Sequence, residues 1–298
     1  MSRRLDAILN HLAKRPSLME VGVAAYRAYV ELGGIAFKPA KDIVETPFEM
    51  GGIKGLKFTP EKARTDHTLV HIHGGGFLAG SSQSYRDLGS RLARETGMPT
   101  LVFDYGLAPE QPCPGGLKDC IALHEALAAS LDHPISLSGD SAGGNLALGL
   151  VRHCIDAQLP LPRCLALISP WADLTGTAKS ITANEAMDPM LRPPDLAHTA
   201  RLYAGNLALD DPRVSPLFHD FKDFPPTLIQ VGSREVLWDD SRRLAQKMTR
   251  AGVQVQLETW EGMFHVWHYF ARYLEEGKKA LAAMAQFIKN PRGDAQTP

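Results

Sequence analysis

The chain has 298 residues, 44% of them hydrophobic, enough to bury one large core or a core with an inserted cap. Its 32 basic and 33 acidic residues leave a net charge of −1, so nothing in the charge argues for nucleic acid or an anionic membrane surface as partner. His11, Lys14, Arg15 and Pro16 break up the basic amino-terminal stretch, which argues against a signal peptide or transmembrane helix, and Cys113, Cys120, Cys154 and Cys164 show no Cys-x-x-Cys spacing, as expected for reduced thiols of a cytoplasmic protein.

Residues 1 to 40 carry helical periodicity (Leu5, Ile8, Leu9, Leu12, then Val21, Ala24, Ala25, Tyr29) and no strand pattern. Residues 43–59, with Gly51-Gly52 in the middle, predict an antiparallel hairpin. Strand and helix patterns then alternate. Strands are predicted at 68–73, 100–104, 135–138, 165–169, 227–231 and 253–259. Helices are predicted at 85–95, 117–130, 142–157, 242–251 (stopped by Gly252) and 266–288. That alternation predicts an α/β fold with a mostly parallel sheet and helices on both faces. Residues 181 to 215 interrupt it: they are polar, proline-rich and helical, and contain Met187-Asp188-Pro189-Met190-Leu191. Residues 290 to 298 read as a frayed tail.

Two motifs carry chemistry. Gly139-Asp140-Ser141-Ala142-Gly143 sits where the strand 135–138 turns into a helix. A serine between small residues at such a junction is a nucleophile elbow, its hydroxyl pushed out above the sheet. Ala142 follows the serine at a helix N-terminus, where free N–H groups and the dipole favour negative charge. The second motif is His73-Gly74-Gly75-Gly76, directly after a strand. Three glycines let the backbone approach a substrate carbonyl with N–H groups pointing inward. His71 and His73 share a strand face but have no third ligand nearby, so no metal site is expected. His73 is expected to fix the glycine loop by a hydrogen bond.

Together with Phe77, Asp104-Tyr105-x-Leu107-Ala108-Pro109-Glu110, Gly144-Asn145, Ser169-Pro170-Trp171-x-Asp173, Asp211-Pro212-x-x-Ser215-Pro216-Leu217 and Gly262-Met263-x-His265, these motifs resemble the bacterial hormone-sensitive-lipase-like esterases, in the branch with Gly-Asp-Ser-Ala-Gly. The resemblance covers about residues 40 to 270. It implies an α/β-hydrolase core over 41–180 and 216–298, with 1–40 and 181–215 forming a helical cap. It also implies hydrolysis of short- to medium-chain carboxylic esters, an oxyanion hole that uses Gly75 and Gly76 beside Ala142, and a homodimer. One departure is Gly106, where the family usually has Arg, which puts a local loop interaction in doubt.

A serine needs a base to take its proton, and the base needs an orienting acid. In an α/β hydrolase the chain order is Ser, acid, His. Only His265 and His268 follow the last predicted strand, and His265 lies in the turn Glu261-Gly262-Met263-Phe264 where a loop can hang it over the strand ends. The acid belongs after strand 227–231. The family pattern there fits Glu235, Leu237 and Asp239, with Glu235 in the triad position and Asp239 as the alternative. Asp239 and Asp240 are also accounted for as acidic residues in the first turn of the next helix. The expected enzyme is therefore a serine carboxylesterase that acts on a small-molecule ester through an acyl-enzyme. Ser141, Glu235 and His265 are its triad, and no metal or organic cofactor is required. An amidase or lactone hydrolase would use the same residues. A non-catalytic ligand receptor would have lost the histidine, and Gly139-x-Ser141-x-Gly143 lacks the spacing of a dinucleotide loop.

Overall fold

The computed structural model describes residues 3–64 and 66–292. In chain order the helices are α1 (Arg3–Leu12), α2 (Leu18–Ile35), α3 (Arg86–Thr96), α4 (Gly115–Ser130), α5 (Ala142–Asp156), α6 (Lys179–Ala183), α7 (Pro193–Ala204), α8 (Trp238–Arg250) and α9 (Glu275–Lys289). The strands are β1 (Ile43–Met50), β2 (Ile53–Pro60), β3 (Thr68–Ile72), β4 (Thr100–Phe103), β5 (Ile135–Asp140), β6 (Leu165–Ile168), β7 (Thr227–Gly232) and β8 (Val255–Trp260). They form one sheet in the order β1-β2-β4-β3-β5-β6-β7-β8. The β1–β2 and β2–β4 pairs are antiparallel and the rest are parallel. The hairpin turns through Gly51 and Gly52, both at positive φ, as a two-residue loop matching the strand twist requires.

Strands β3 to β7 are buried at every position because helices cover both faces. Alternate side chains go to opposite sides. Leu69, Ala166, Ile168 and Leu228 meet Leu88 and Leu92 of α3 and Leu281 and Met284 of α9. Val70, Leu165, Leu167 and Ile229 meet Leu146 and Leu150 of α5 and Leu244 and Met248 of α8. A third, smaller cluster joins Leu5 and Leu12 of α1 to Met263, Phe264 and Trp267 after β8. Among the described residues, no helix is long and apolar enough to cross a membrane.

The helix expected over 266–288 is broken. Val266 stands at φ 50°, a 3₁₀ turn spans Trp267–Phe270, and α9 begins only at Glu275, with Glu275 and Glu276 in its first turn. The apolar spacing runs on across the break because both pieces pack inward. The chain folds so tightly there that a Cβ on Gly277 would lie 2.9 Å from Ala271 Cα. Helix α8 begins four residues before the expected 242, which puts Asp239 and Asp240 in its first turn. From residue 293 onward, the predicted tail lies outside the described residues.

Candidate active site

Ser141 joins β5 to α5 at φ 52° and ψ −119°, a conformation few non-glycine residues adopt. The surroundings hold it there: its N–H donates to Ile168 O (2.9 Å) and its carbonyl accepts from Trp171 N–H (3.0 Å). The turn is so close to β3 that a Cβ on Gly143 would lie 2.0 Å from Ile72 O. Ala142 is the first residue of α5, so its N–H has no acceptor within the helix. Asn145, one turn on, ties the elbow to two loops, donating to Trp171 O and Val214 O at 2.9 Å each.

The glycine loop after β3 is anchored from below. Gly75, at φ 115°, has no room for a Cβ, which would meet Ala79 O at 2.0 Å. Gly74 N–H donates to Asp140 Oδ1 (3.0 Å) and to Tyr85 Oη (3.0 Å). Tyr85 O–H in turn donates to Asp140 Oδ2 (2.8 Å), and His71 Nε2 stands 3.1 Å from Asp140 Oδ1. Asp140 is 1% exposed, so this buried carboxylate links the elbow to the glycine loop through three donors. His73 Nδ1 donates to Gly74 O (2.7 Å), its ring stacks on Tyr105, and burial pushes its imidazole below the usual histidine range. His71 and His73 thus serve the loop. Among the described residues, no group of three His, Cys, Asp or Glu side chains could hold a metal ion.

Glu235 and His265 come together on neighbouring loops, after β7 and β8. Glu235 Oε2 lies 2.8 Å from His265 Nδ1. Its other oxygen accepts from Ser169 O–H (2.7 Å) and Gly232 N–H (2.6 Å), so both oxygens of this fully buried carboxylate have partners. Ser169 also receives Val266 N–H (3.4 Å), tying the histidine loop to the acid. Asp239 points elsewhere, accepting from Ser180 N–H (3.0 Å) and Arg242 Nε–H (2.9 Å). His268 is buried against Gln230 Oε1 (2.7 Å), and burial with the like charge of His71 pushes its imidazole down to about 3. Ser141, His265, Gly75 and Gly76 line a single cavity, roofed by Tyr26 and Tyr29 of α2 and Leu196 and Thr199 of α7.

At Gly106 the loop is held by side chains from elsewhere in the chain. Gly106 N–H donates to Asp119 (2.7 Å), and the Gln111 side chain fills the space a Cβ would need. Arg27 of α2 reaches the same loop, donating to Ala108 O (2.8 Å) and Glu110 Oε2 (2.6 Å). Sequence reasoning missed Ser169, Tyr85 and the anchoring role of Asp140. The only signal was that Asp140 and Ser169 fall inside motifs.

A twisted, mostly parallel sheet with a serine elbow at its centre and an acid–histidine pair on the following loops defines an α/β hydrolase. The α/β-hydrolase fold family matches over residues 69–269. The chain is 39% identical to an acetyl-hydrolase of Streptomyces hygroscopicus over 235 residues, 78% of this chain and 79% of that one. It is 34% identical to an esterase of Acinetobacter venetianus over 285 residues, 95% and 94% of the two chains. The crystal structure of an esterase from the bacterial hormone-sensitive lipase family superposes with a TM-score of 0.93 at 34% identity, covering 97% of this chain and 98% of that one. The chain belongs to the α/β-hydrolase fold family and, within it, to the hormone-sensitive-lipase-like carboxylic ester hydrolases.

Proposed function

We propose that Ser141, His265 and Glu235 form the catalytic triad of this ester hydrolase. The observation that carries the assignment is the buried 2.8 Å contact between Glu235 and His265 at the cavity that also exposes the elbow serine. With Nδ1–H donated to Glu235, His265 Nε2 is the base. It takes the Ser141 proton as Oγ bonds to the ester carbonyl carbon, and Glu235 stabilises the resulting imidazolium. The N–H groups of Gly75, Gly76 and Ala142 hold the oxyanion. As the tetrahedral adduct collapses, the carbon–oxygen bond to the alcohol breaks, and the imidazolium protonates the leaving oxygen. A water deprotonated by His265 then attacks the acyl-serine, and as the carbon–Oγ bond breaks the imidazolium returns its proton to Ser141 Oγ and the acid is released. Every proton is accounted for without a metal or organic cofactor.

The substrate class follows from the roof. Residues 1–40 and 181–215 act as the cap over the 41–180 and 216–298 core. Ser17 O–H donates to Asp195 (2.6 Å) and Arg192 to Arg15 O (2.9 Å), which couples the two segments. Tyr26, Tyr29, Val30, Met190 and Leu196 make the cavity mainly apolar, which suits short- to medium-chain acyl esters. The likeness to an acetyl-hydrolase supports the short end of that range. Four unpaired, buried cysteines support a cytoplasmic location, and the half-exposed edge strand β8 offers a face for the homodimer.

Diethyl p-nitrophenyl phosphate tests the nucleophile directly. One p-nitrophenolate should be released per chain, and the added mass should map to the peptide containing Ser141. Labelling at another serine would overturn the assignment.

A further inference from the structure

The segment that runs into the cavity roof also grips the acid loop. Asn184 Nδ2 donates to Glu235 O (2.7 Å) and Ser233 O (3.2 Å), and Arg234 Nε donates to Met187 O (3.1 Å). At the centre of this seam is Asp188, only 9% exposed. Its Oδ1 accepts from Met190 N–H (2.8 Å) and Leu191 N–H (3.0 Å), two residues that line the cavity. Its Oδ2 accepts from Val236 N–H (3.0 Å), the residue after Glu235. An aspartate that only closed its own turn would use one oxygen. Here the second oxygen goes to the loop that carries the acid. No carboxylate at this position was marked by the sequence motifs.

We infer that Asp188 is a positioning residue for the Glu235–His265 pair, tying the acid loop to the cavity roof. This rests on the triad proposed above. Burial pushes the Asp188 carboxyl above the usual carboxylate range, and the charge of His265 together with the three N–H donors opposes that. Two carboxylates therefore meet at the acid loop: Glu235, bonded to His265 at 2.8 Å, and Asp188, which reaches it from the roof segment through Val236 N–H. Asp140, on the elbow side of the cavity, is engaged by Gly74, Tyr85 and His71. With the acid loop held from the roof, Glu235 keeps the His265 ring where Ser141 needs it.

Asp188→Asn keeps one oxygen for the Met190–Leu191 turn but turns an NH₂ group toward Val236 N–H, breaking the tie to the acid loop and removing the charge. The variant is assayed on p-nitrophenyl butyrate, with rates normalised to sites titrated by diethyl p-nitrophenyl phosphate. Its kcat should fall about tenfold to a hundredfold while KM stays within about threefold, as for a base displaced by a fraction of an ångström. Asp188→Glu keeps the charge on a longer arm. It should leave kcat reduced with KM again little changed, because the longer arm no longer meets Val236 N–H, and it serves as the test if the Asn variant does not fold. Wild-type kcat per titrated site in either variant, or a loss confined to KM, would overturn the inference. Ser141→Ala, run alongside, separates the two levels: a live Ser141→Ala enzyme removes the triad itself, whereas a dead one with a normal Asp188→Asn removes only the role of Asp188.

Discussion

The loops that carry the proposed triad and the segments that roof the cavity are held by different means. Around Ser141, Glu235 and His265, backbone bonds between neighbouring strands and turns run beside the buried side-chain bonds: Ser141 N to Ile168 O (2.9 Å), Ser233 N to Trp260 O (3.0 Å), Arg234 N to Met263 O (3.1 Å). The roof is fastened by side chains, as in Ser17 to Asp195, Arg192 to Arg15 O, and Arg27 to a Glu110 that is 63% exposed. Such exposed ion pairs are worth about 0–1 kcal/mol, and α2 is itself kinked at Gly22 (φ 76°). Its outer face leaves Leu32 71% exposed. The consequence is a division of labour. Backbone ties hold much of the reacting geometry, and the α2 and α7 parts of the roof can change residues, and hence selectivity, with little effect on the loops beneath, whereas Asn184 and Asp188 cannot.

Breaking the rigid half should have the largest effects. Ser141→Ala should keep its thermal midpoint within a few degrees and lose on the order of a million-fold in kcat on p-nitrophenyl acetate. A tenth of wild-type activity would place the nucleophile elsewhere. Next comes the acid. Glu235→Gln keeps the shape and removes the charge that faces His265, and should lose roughly three to four orders of magnitude in kcat. Asp239→Asn alters only contacts to Ser180 and Arg242 at the start of α8, and should cost at most about 1 kcal/mol of stability in a urea melt, with kcat within about threefold. The reverse ranking would make Asp239 the acid.

Tyr85→Phe addresses the anchor of the glycine loop. It deletes one of the three donors to Asp140 and one of the two acceptors of Gly74 N–H. A hydrogen bond to a charged group contributes about 1.5–3 kcal/mol, so kcat should fall by roughly tenfold to a hundredfold with KM little changed. Loss confined to KM would mean that the loop positions ground-state substrate and not the oxyanion.

The strands and both loop motifs were legible in the sequence because short apolar runs between turn residues and glycine spacing leave local marks. The last helix was not, because Val266, Trp267 and Phe270 keep a helical apolar spacing while the backbone turns back at Val266. Asp140 and Asp188 stayed silent for another reason. Their partners lie 66 and 48 positions away in the chain (Gly74 and Val236), so no window of sequence reports the contact. The roof showed its helical character, but its hold on the acid loop through Asn184 belongs to the fold alone.

The smallest effects belong to the roof, and they are the ones that sharpen the division of labour. Each methylene buried in the apolar cavity adds about 0.8 kcal/mol, so kcat/KM across p-nitrophenyl esters should rise about three- to fourfold per CH₂ and fall once the space is full. The maximum is expected between acetyl and octanoyl. Leu196→Trp on α7 enlarges a side chain that lines the cavity and is not part of the proposed triad. It should move the maximum to a shorter ester while changing kcat on the acetate ester less than about threefold, since the backbone ties of the serine, acid and histidine loops are untouched. If the optimum stays where it was, the acyl chain runs elsewhere than under α7. If acetate turnover collapses as well, the roof and the reacting loops are one unit, and the contrast between them fails.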